Sequence, residues 1–287
     1  MPQLAYVDGR ITPLRDAGVS VEDRGLQFAD ALYEVVAILN GRLLDWPEHL
    51  LRLRRTCAAL FIDFTMSDAA LGLQARRLVA ANGHRDGLLY LQITRGSARR
   101  DHGFPLGVQP TLIMTVRRFD FRQRAAQQRT GVSVITVNDM RWRRVDLKTT
   151  GLLPNVLAKQ DARAAGAFEA WFIAADDTVR EGSSTNAWIV KDGTLITHPL
   201  AESILPGIAR ITLLRLARGA GVPIAERRFS LAEALAADEA LLTSTTAPLL
   251  PVVRIDGLAI ADGTPGPVTA QLAGLVAAEI TRQTGWQ

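Results

Sequence analysis

The chain has 287 residues, 48% of them hydrophobic and 22% charged, with a formal net charge of +4. That is the balance of an ordinary globular protein with enough chain for one large domain or two of moderate size. No apolar run approaches the ~20 residues of a membrane span, and the single cysteine, Cys57, excludes an intrachain disulfide and suits a reducing compartment.

The first residues, Met1-Pro2-Gln3-Leu4-Ala5-Tyr6, carry no basic segment followed by an apolar stretch, so no secretory leader is expected and the cytoplasm is the expected location. Leu4 to Val7 and Arg10 to Thr12 flank Asp8-Gly9, a hairpin signal. Tyr33 to Leu39 reads as a strand that meets Asn40-Gly41, the strongest two-residue hairpin signal. Trp46-Pro47 starts a helix with Leu50, Leu53, Cys57 and Leu60 on one apolar stripe. Ser67 caps a second helix that ends at Asn82-Gly83. Strands follow at Gly87–Thr94 and Thr111–Val116, separated by a long loop.

Residues 119–128 are polar and read as a linker between a smaller domain at 1–118 and a larger one at 129–287. Beyond it a strand is predicted at Val132–Val137, a helix at Asn155–Ala165, and a buried strand at Phe168–Ala174. Ala187–Val190 and Thr194–Thr197 pair around Asp192-Gly193. Helices are predicted from Ile208 to about Arg218, briefly after a Ser230 cap, and from Val268 to Thr284. Mixed strands and helices, with hairpins in both halves, predict an α+β fold.

Four features carry chemistry. Lys148 is one of few lysines among many arginines, and Arg141, Arg143 and Arg144 upstream could lower its pKa by their positive potential. Most lone lysines are solvated surface groups. Glu181 opens the tight polar turn Gly182-Ser183-Ser184-Thr185-Asn186 and could hold a pyridine nitrogen protonated. An acid before a Gly-Ser turn is common by itself. Leu205-Pro206-Gly207 runs directly into a helix whose Ile208 and Ala209 amides could face an anion, as helix starts often can. Thr243-Ser244-Thr245-Thr246 follows an apolar strand and could add hydroxyls to a phosphate site or form an ordinary turn.

These four elements in this order, with Asp23-Arg24-Gly25-Leu26-Gln27-Phe28, Tyr33-Glu34-Val35-Val36, Tyr90 to Gly96 and Leu157-Ala158-Lys159-Gln160, resemble the fold-type IV (class IV) pyridoxal-phosphate aminotransferases. The resemblance implies two domains, a smaller N-terminal α/β one and a larger pseudo-barrel-like one, with the cofactor between them. By resemblance, Lys148 forms the covalent link to pyridoxal phosphate and Glu181 partners the pyridine nitrogen. Arg52, Leu205, the Ile208 and Ala209 amides, Ser244 and Thr245 hold the cofactor. Ala209 departs from a common threonine, which removes one hydroxyl.

The loop Arg99-Arg100-Asp101-His102-Gly103-Phe104-Pro105 is similar to that of the D-amino-acid branch of the family. There an arginine and a histidine two residues later reach the substrate carboxylate from the neighbouring subunit of a homodimer. Here the pair is Arg100 and His102, with Tyr33 completing it. Ala29 and Ala31 stand where glycines are usual. The resemblance implies transamination between a D-amino acid, such as D-alanine, and a 2-keto acid, such as 2-oxoglutarate. Branched-chain aminotransferases, aminodeoxychorismate lyases and (R)-selective amine transaminases are the alternatives within the family. A basic nucleic-acid-binding protein is the alternative outside it. The arginine clusters lack an aromatic-basic ladder, which argues for a solvated basic surface instead. One cysteine and scattered histidines give no zinc pattern.

Overall fold

The computed structural model describes residues 3–201 and 203–287. Strands and helices mix in both halves, and the chain separates into two compact units. The first runs to Asp120 and adds Leu147–Gly151 and Gln283–Gln287; the second comprises Phe121–Asp146 and Leu152–Arg282.

In the first unit, β1 (Leu4–Val7) and β2 (Arg10–Pro13) form a hairpin, followed by the short helix α1 (Arg24–Phe28). Next come β3 (Ala31–Leu39), β4 (Arg42–Leu43), α2 (Trp46–Ala59), α3 (Asp68–Asn82), β5 (Gly87–Thr94) and β6 (Leu112–Arg118). The strands pair in the order β2-β1-β6-β5-β3-β4, antiparallel throughout. Both two-residue turns sit at positive φ, Asp8-Gly9 at 42° and 90° and Asn40-Gly41 at 53° and 76°, as the twist of tight hairpins requires. The α2 stripe of Leu50, Leu53 and Cys57 packs with Leu71, Leu78 and Val36 in one core. Each such leucine, fully buried, stabilises the unit by roughly 1.5–3 kcal/mol. The Ser67 hydroxyl accepts from the Ala70 amide and caps α3.

Residues 123–128 of the segment read from sequence as linker (119–128) lie in a helix, α4 (Gln123–Thr130). Its polar composition hides a run of good helix formers, and the Arg124 guanidinium lies 5.1 Å from the Phe168 ring centroid. The second unit continues with β7 (Val132–Asn138), α5 (Leu153–Ala164), β8 (Glu169–Ile173), β9 (Val179–Gly182), β10 (Asn186–Lys191) and β11 (Thr194–Thr197). It ends with α6 (Ile208–Gly219), β12 (Ile224–Glu226), α7 (Leu231–Leu235), β13 (Glu239–Thr243), β14 (Leu250–Ile255), β15 (Leu258–Ala259) and α8 (Pro267–Thr284). Among the described residues the strands pair as β12-β11-β10-β13-β14-β7-β8-β9, with β15 on β14. Trp171, Ile189 and Leu242 point into one core of this sheet, and Trp188, Leu213 and Leu272 into another. Ser230 and Glu233 form a reciprocal capping box on α7.

Candidate functional site

The short segment bearing Lys148 is strapped to the start of β3. Tyr33 N donates to the Lys148 carbonyl at 3.0 Å, and Thr150 N donates to Ala31 O at 3.1 Å. Thr149 bridges to Leu32. Lys148 is half-buried, with its amine 4.3 Å from the Tyr33 ring centroid. Tyr33 stacks in turn on Tyr90 at 5.7 Å. The chain contains three lysines, Lys148, Lys159 and Lys191. Lys159 pairs with Glu169 at 3.4 Å and Lys191 with Asp238 at 2.9 Å. Among the described residues the Lys148 amine has neither a hydrogen bond nor an ion pair, which leaves its lone pair available to an electrophile once deprotonated.

Two of the three arginines upstream are paired with carboxylates. Arg141 bonds Asp139 at 2.8 Å and Glu181 at 2.6 Å, and Arg144 bonds Asp146 at 2.9 Å. Carboxylates that lie far away in sequence, or two residues off, compensate these cations.

Glu34 alternates with Tyr33 along β3 and is buried. Arg52 and His49, three residues apart on one face of α2, converge on it. Arg52 Nε and Nη2 donate at 2.8 and 2.6 Å, and His49 Nδ1 lies 2.7 Å from Oε2. Burial pushes the Glu34 carboxyl up, but the Arg52 charge and hydrogen bonds, with His49, outweigh it and hold the pKa down at about 2. The sequence names Arg52 for phosphate. In the structure at least two of its guanidinium nitrogens bond Glu34, a partner that no sequence spacing revealed.

Arg100 and His102 lie exposed on the loop between β5 and β6 and share Phe28, whose ring centroid is 4.6 Å from the Arg100 guanidinium and 5.5 Å from the His102 ring. Among the described residues, no hydrogen bond or ring contact joins Tyr33 to either.

In the second unit, Glu181 is on β9 and 4% exposed. Arg141 Nη1 reaches Oε1 at 2.6 Å, and Asn186 Nδ2 reaches Oε2 at 3.0 Å. The Leu205 amide is shared between both oxygens at 3.1 and 3.0 Å. A carboxylate has about four lone-pair sites, so three donors leave one position for a further donor. Burial raises the proton affinity of Glu181, and the Arg141 charge only partly offsets this. Arg141 and Asn186 are site residues that sequence reasoning did not assign. Asn186 closes the turn after Glu181, whereas Arg141 is 40 residues away.

Gly207 caps α6 with no side-chain hydrogen bond, and among the described residues the Ile208 and Ala209 amides have no partner. A Cβ on Gly207 would overlap the Asn186 carboxamide oxygen, so glycine is needed beside the carboxamide that orients Glu181. The Ser244 hydroxyl accepts from the Ala247 amide at 3.1 Å. Half-buried Thr245 makes no side-chain hydrogen bond among the described residues. Among the described residues the buried Thr185 hydroxyl has no hydrogen-bond partner.

These groups suit pyridoxal phosphate. An amine without an ion pair, a buried carboxylate with one acceptor position left, and uncapped helix amides with a nearby-in-sequence hydroxyl turn are the donor set its aldehyde, ring nitrogen and phosphate ask for.

The family model described as "Amino-transferase class IV" matches residues 31–255. The D-alanine aminotransferase of Bacillus licheniformis is 44% identical over 262 residues, 91% of this chain and 92% of that protein. The branched-chain aminotransferase of the archaeon Thermoproteus uzoniensis with norvaline superposes with a TM-score of 0.85 at 28% identity, covering 99% of this chain and 98% of that one. The 4-amino-4-deoxychorismate lyase of Pseudomonas aeruginosa gives 0.83 at 30% identity, covering 96% and 98%.

Proposed function

The chain belongs to the class IV aminotransferases, and on that premise we propose how its own residues carry out the exchange of an amino group between a D-amino acid and a 2-keto acid. The enzyme is a pyridoxal-phosphate-dependent D-amino-acid transaminase. When bound, pyridoxal phosphate supplies the electron sink that makes the substrate Cα–H acidic.

Lys148 is the residue that binds the cofactor aldehyde and, when released, takes the Cα proton on Nζ and returns it as a general acid. The observation that carries this assignment is its amine, which among the described residues has no ion pair, whereas the chain's other two lysines are both ion-paired. Glu181, held by Arg141, Asn186 and the Leu205 amide, uses its remaining acceptor site to keep the ring nitrogen protonated. Its raised proton affinity strengthens that hydrogen bond. The Ile208 and Ala209 amides, with Ser244 and Thr245, hold the phosphate, and Arg52, oriented by its two bonds to Glu34, donates a further N–H to it.

Arg100, His102 and Tyr33 donate to the substrate carboxylate. The pair lies on an exposed loop whose Leu106 is 97% exposed. That exposure supports a homodimer in which the loop serves the neighbouring copy. The buried, unpaired Cys57 supports a reducing cytoplasm.

The test is a substrate panel on purified protein after its absorption spectrum has been recorded. D-alanine with 2-oxoglutarate should turn over fastest. Preference for L-leucine, for (R)-phenylethylamine or for aminodeoxychorismate would move the chain to another branch. A colourless protein with salt-dependent DNA affinity would remove it from catalysis altogether.

A further inference from the structure

The loop after β5 is exposed, yet its base is held firmly. The Asp23 carboxylate accepts from Gly25 N at 2.8 Å and from the Thr94 hydroxyl at 2.9 Å. Arg24 N donates to Gly96 O at 2.9 Å, and Asp23 bridges to Ser97. Gly96 sits at φ 97°, and a Cβ there would overlap Gln109 O. The outgoing and returning strands of the loop therefore touch at its neck.

Past the neck, Asp30 lies between two guanidiniums. Its Oδ2 accepts from Arg24 Nε at 2.9 Å and Arg95 Nε at 2.7 Å, and its Oδ1 from Arg95 Nη2 at 3.0 Å. Both arginines then extend to the loop. Arg24 Nη1 donates to Asp101 O at 2.6 Å, with Nη2 3.5 Å from His102 O. The Arg95 guanidinium lies 3.7 Å from the Phe104 ring centroid and also bonds the Leu60 and Phe61 carbonyls. Arg24 and Arg95 are 4% and 7% exposed. Two buried cations this close need the intervening anion, since an uncompensated buried charge is costly. Burial alone would raise the Asp30 carboxyl, but the Arg95 and then Arg24 hydrogen bonds and charges hold it below its ordinary value, so it stays ionised at neutral pH.

We propose that Asp30 is a positioning residue for substrate binding: by orienting Arg24 and Arg95 it fixes the Asp101 and His102 carbonyls and the Phe104 ring and thereby aims Arg100 and His102. This rests on the carboxylate-binding reading of that loop. Asp30 acts through the two arginines, so its loss changes where the loop points, not the chemistry at Lys148.

The test combines hydrogen–deuterium exchange of the cofactor-loaded enzyme with steady-state kinetics. Asp30→Asn should speed exchange in the 99–106 peptide at least about fivefold by lowering the local opening free energy. It should raise KM for D-alanine roughly tenfold while kcat falls much less. Arg95→Lys keeps the charge but loses the two-pronged bond. It should shift both readouts the same way and covers the case in which Asp30→Asn does not fold. Unchanged exchange in these variants overturns the proposal. So does faster exchange with an unchanged KM when Arg100→Ala raises KM. If Arg100→Ala leaves KM unchanged, the carboxylate-binding reading of the loop fails, and exchange alone decides whether Asp30 holds it.

Discussion

The Lys148 ammonium lies over the face of the Tyr33 ring, 4.3 Å from its centroid, while the Tyr33 amide holds the Lys148 carbonyl at 3.0 Å. One residue of β3 therefore fixes both the backbone and the amine of the reactive lysine. A cation over a phenol face gains about 0.5–1 kcal/mol or more, and the hydroxyl adds nothing to that. Tyr33→Leu should lower kcat for D-alanine at least about fivefold more than Tyr33→Phe, because only the leucine removes the ring that positions the amine. Equal kcat values for the two variants would separate the ring from the lysine.

Glu181 is the second pivot. Glu181→Gln keeps the shape but gives the ring nitrogen a weaker partner. Loss of one such electrostatic contact costs about 100-fold in kcat. Stopped-flow single-turnover rates with D-alanine should show the drop, and a rate within about threefold of the parent would remove Glu181 from the ring.

Gly207 lies where a Cβ would strike the Asn186 oxygen. Gly207→Ala should turn Asn186 off Glu181 and the Leu205 carbonyl, two hydrogen bonds of 3.0 Å each. The loss of about 1–1.5 kcal/mol should weaken cofactor binding roughly tenfold in a titration of the apo-protein. Unchanged affinity would mean that Asn186 adapts.

The Glu34 ion cluster makes a prediction about stability. Its carboxyl falls from 4.5 to about 2 on folding. A depressed carboxyl stabilises the fold fully above its unfolded pKa and loses that contribution as pH falls toward the folded one. The contribution is on the order of 3 kcal/mol. Urea unfolding of Glu34→Gln should give a deficit of about 3–5 kcal/mol at pH 7, shrinking between about pH 5 and pH 2. A deficit independent of pH would show that Glu34 acts by packing alone.

Much of the fold was legible. The Asp-Gly and Asn-Gly turns, Pro47 at a helix start, and the Ser67 and Ser230 caps are local signals, and each specifies its element without help from distant residues. Helix α4 was missed because its stability comes from propensity and from Arg124 against Phe168, neither of which leaves an apolar period. Helix α1 is five residues long, too short for any period, and is set by the Asp23 cap. Strand β14 contains Pro251, yet it pairs with β13 along one edge and β7 along the other. In the site, Lys148 and Glu181 stand out by residue type and order. The ion pairs that orient their surroundings, Arg141 with Glu181 and Arg52 with Glu34, join residues 40 and 18 apart. They become visible only when strands and helices bring them together.

The central claim is that Lys148 carries the cofactor, and covalent trapping tests it most directly. Borohydride reduction of the loaded enzyme, followed by peptide mass mapping, should place the added mass on the peptide containing Lys148 and on no other. Lys148→Ala should abolish both the adduct and turnover. An adduct on Lys159 or Lys191, or full turnover in Lys148→Ala, would contradict the account.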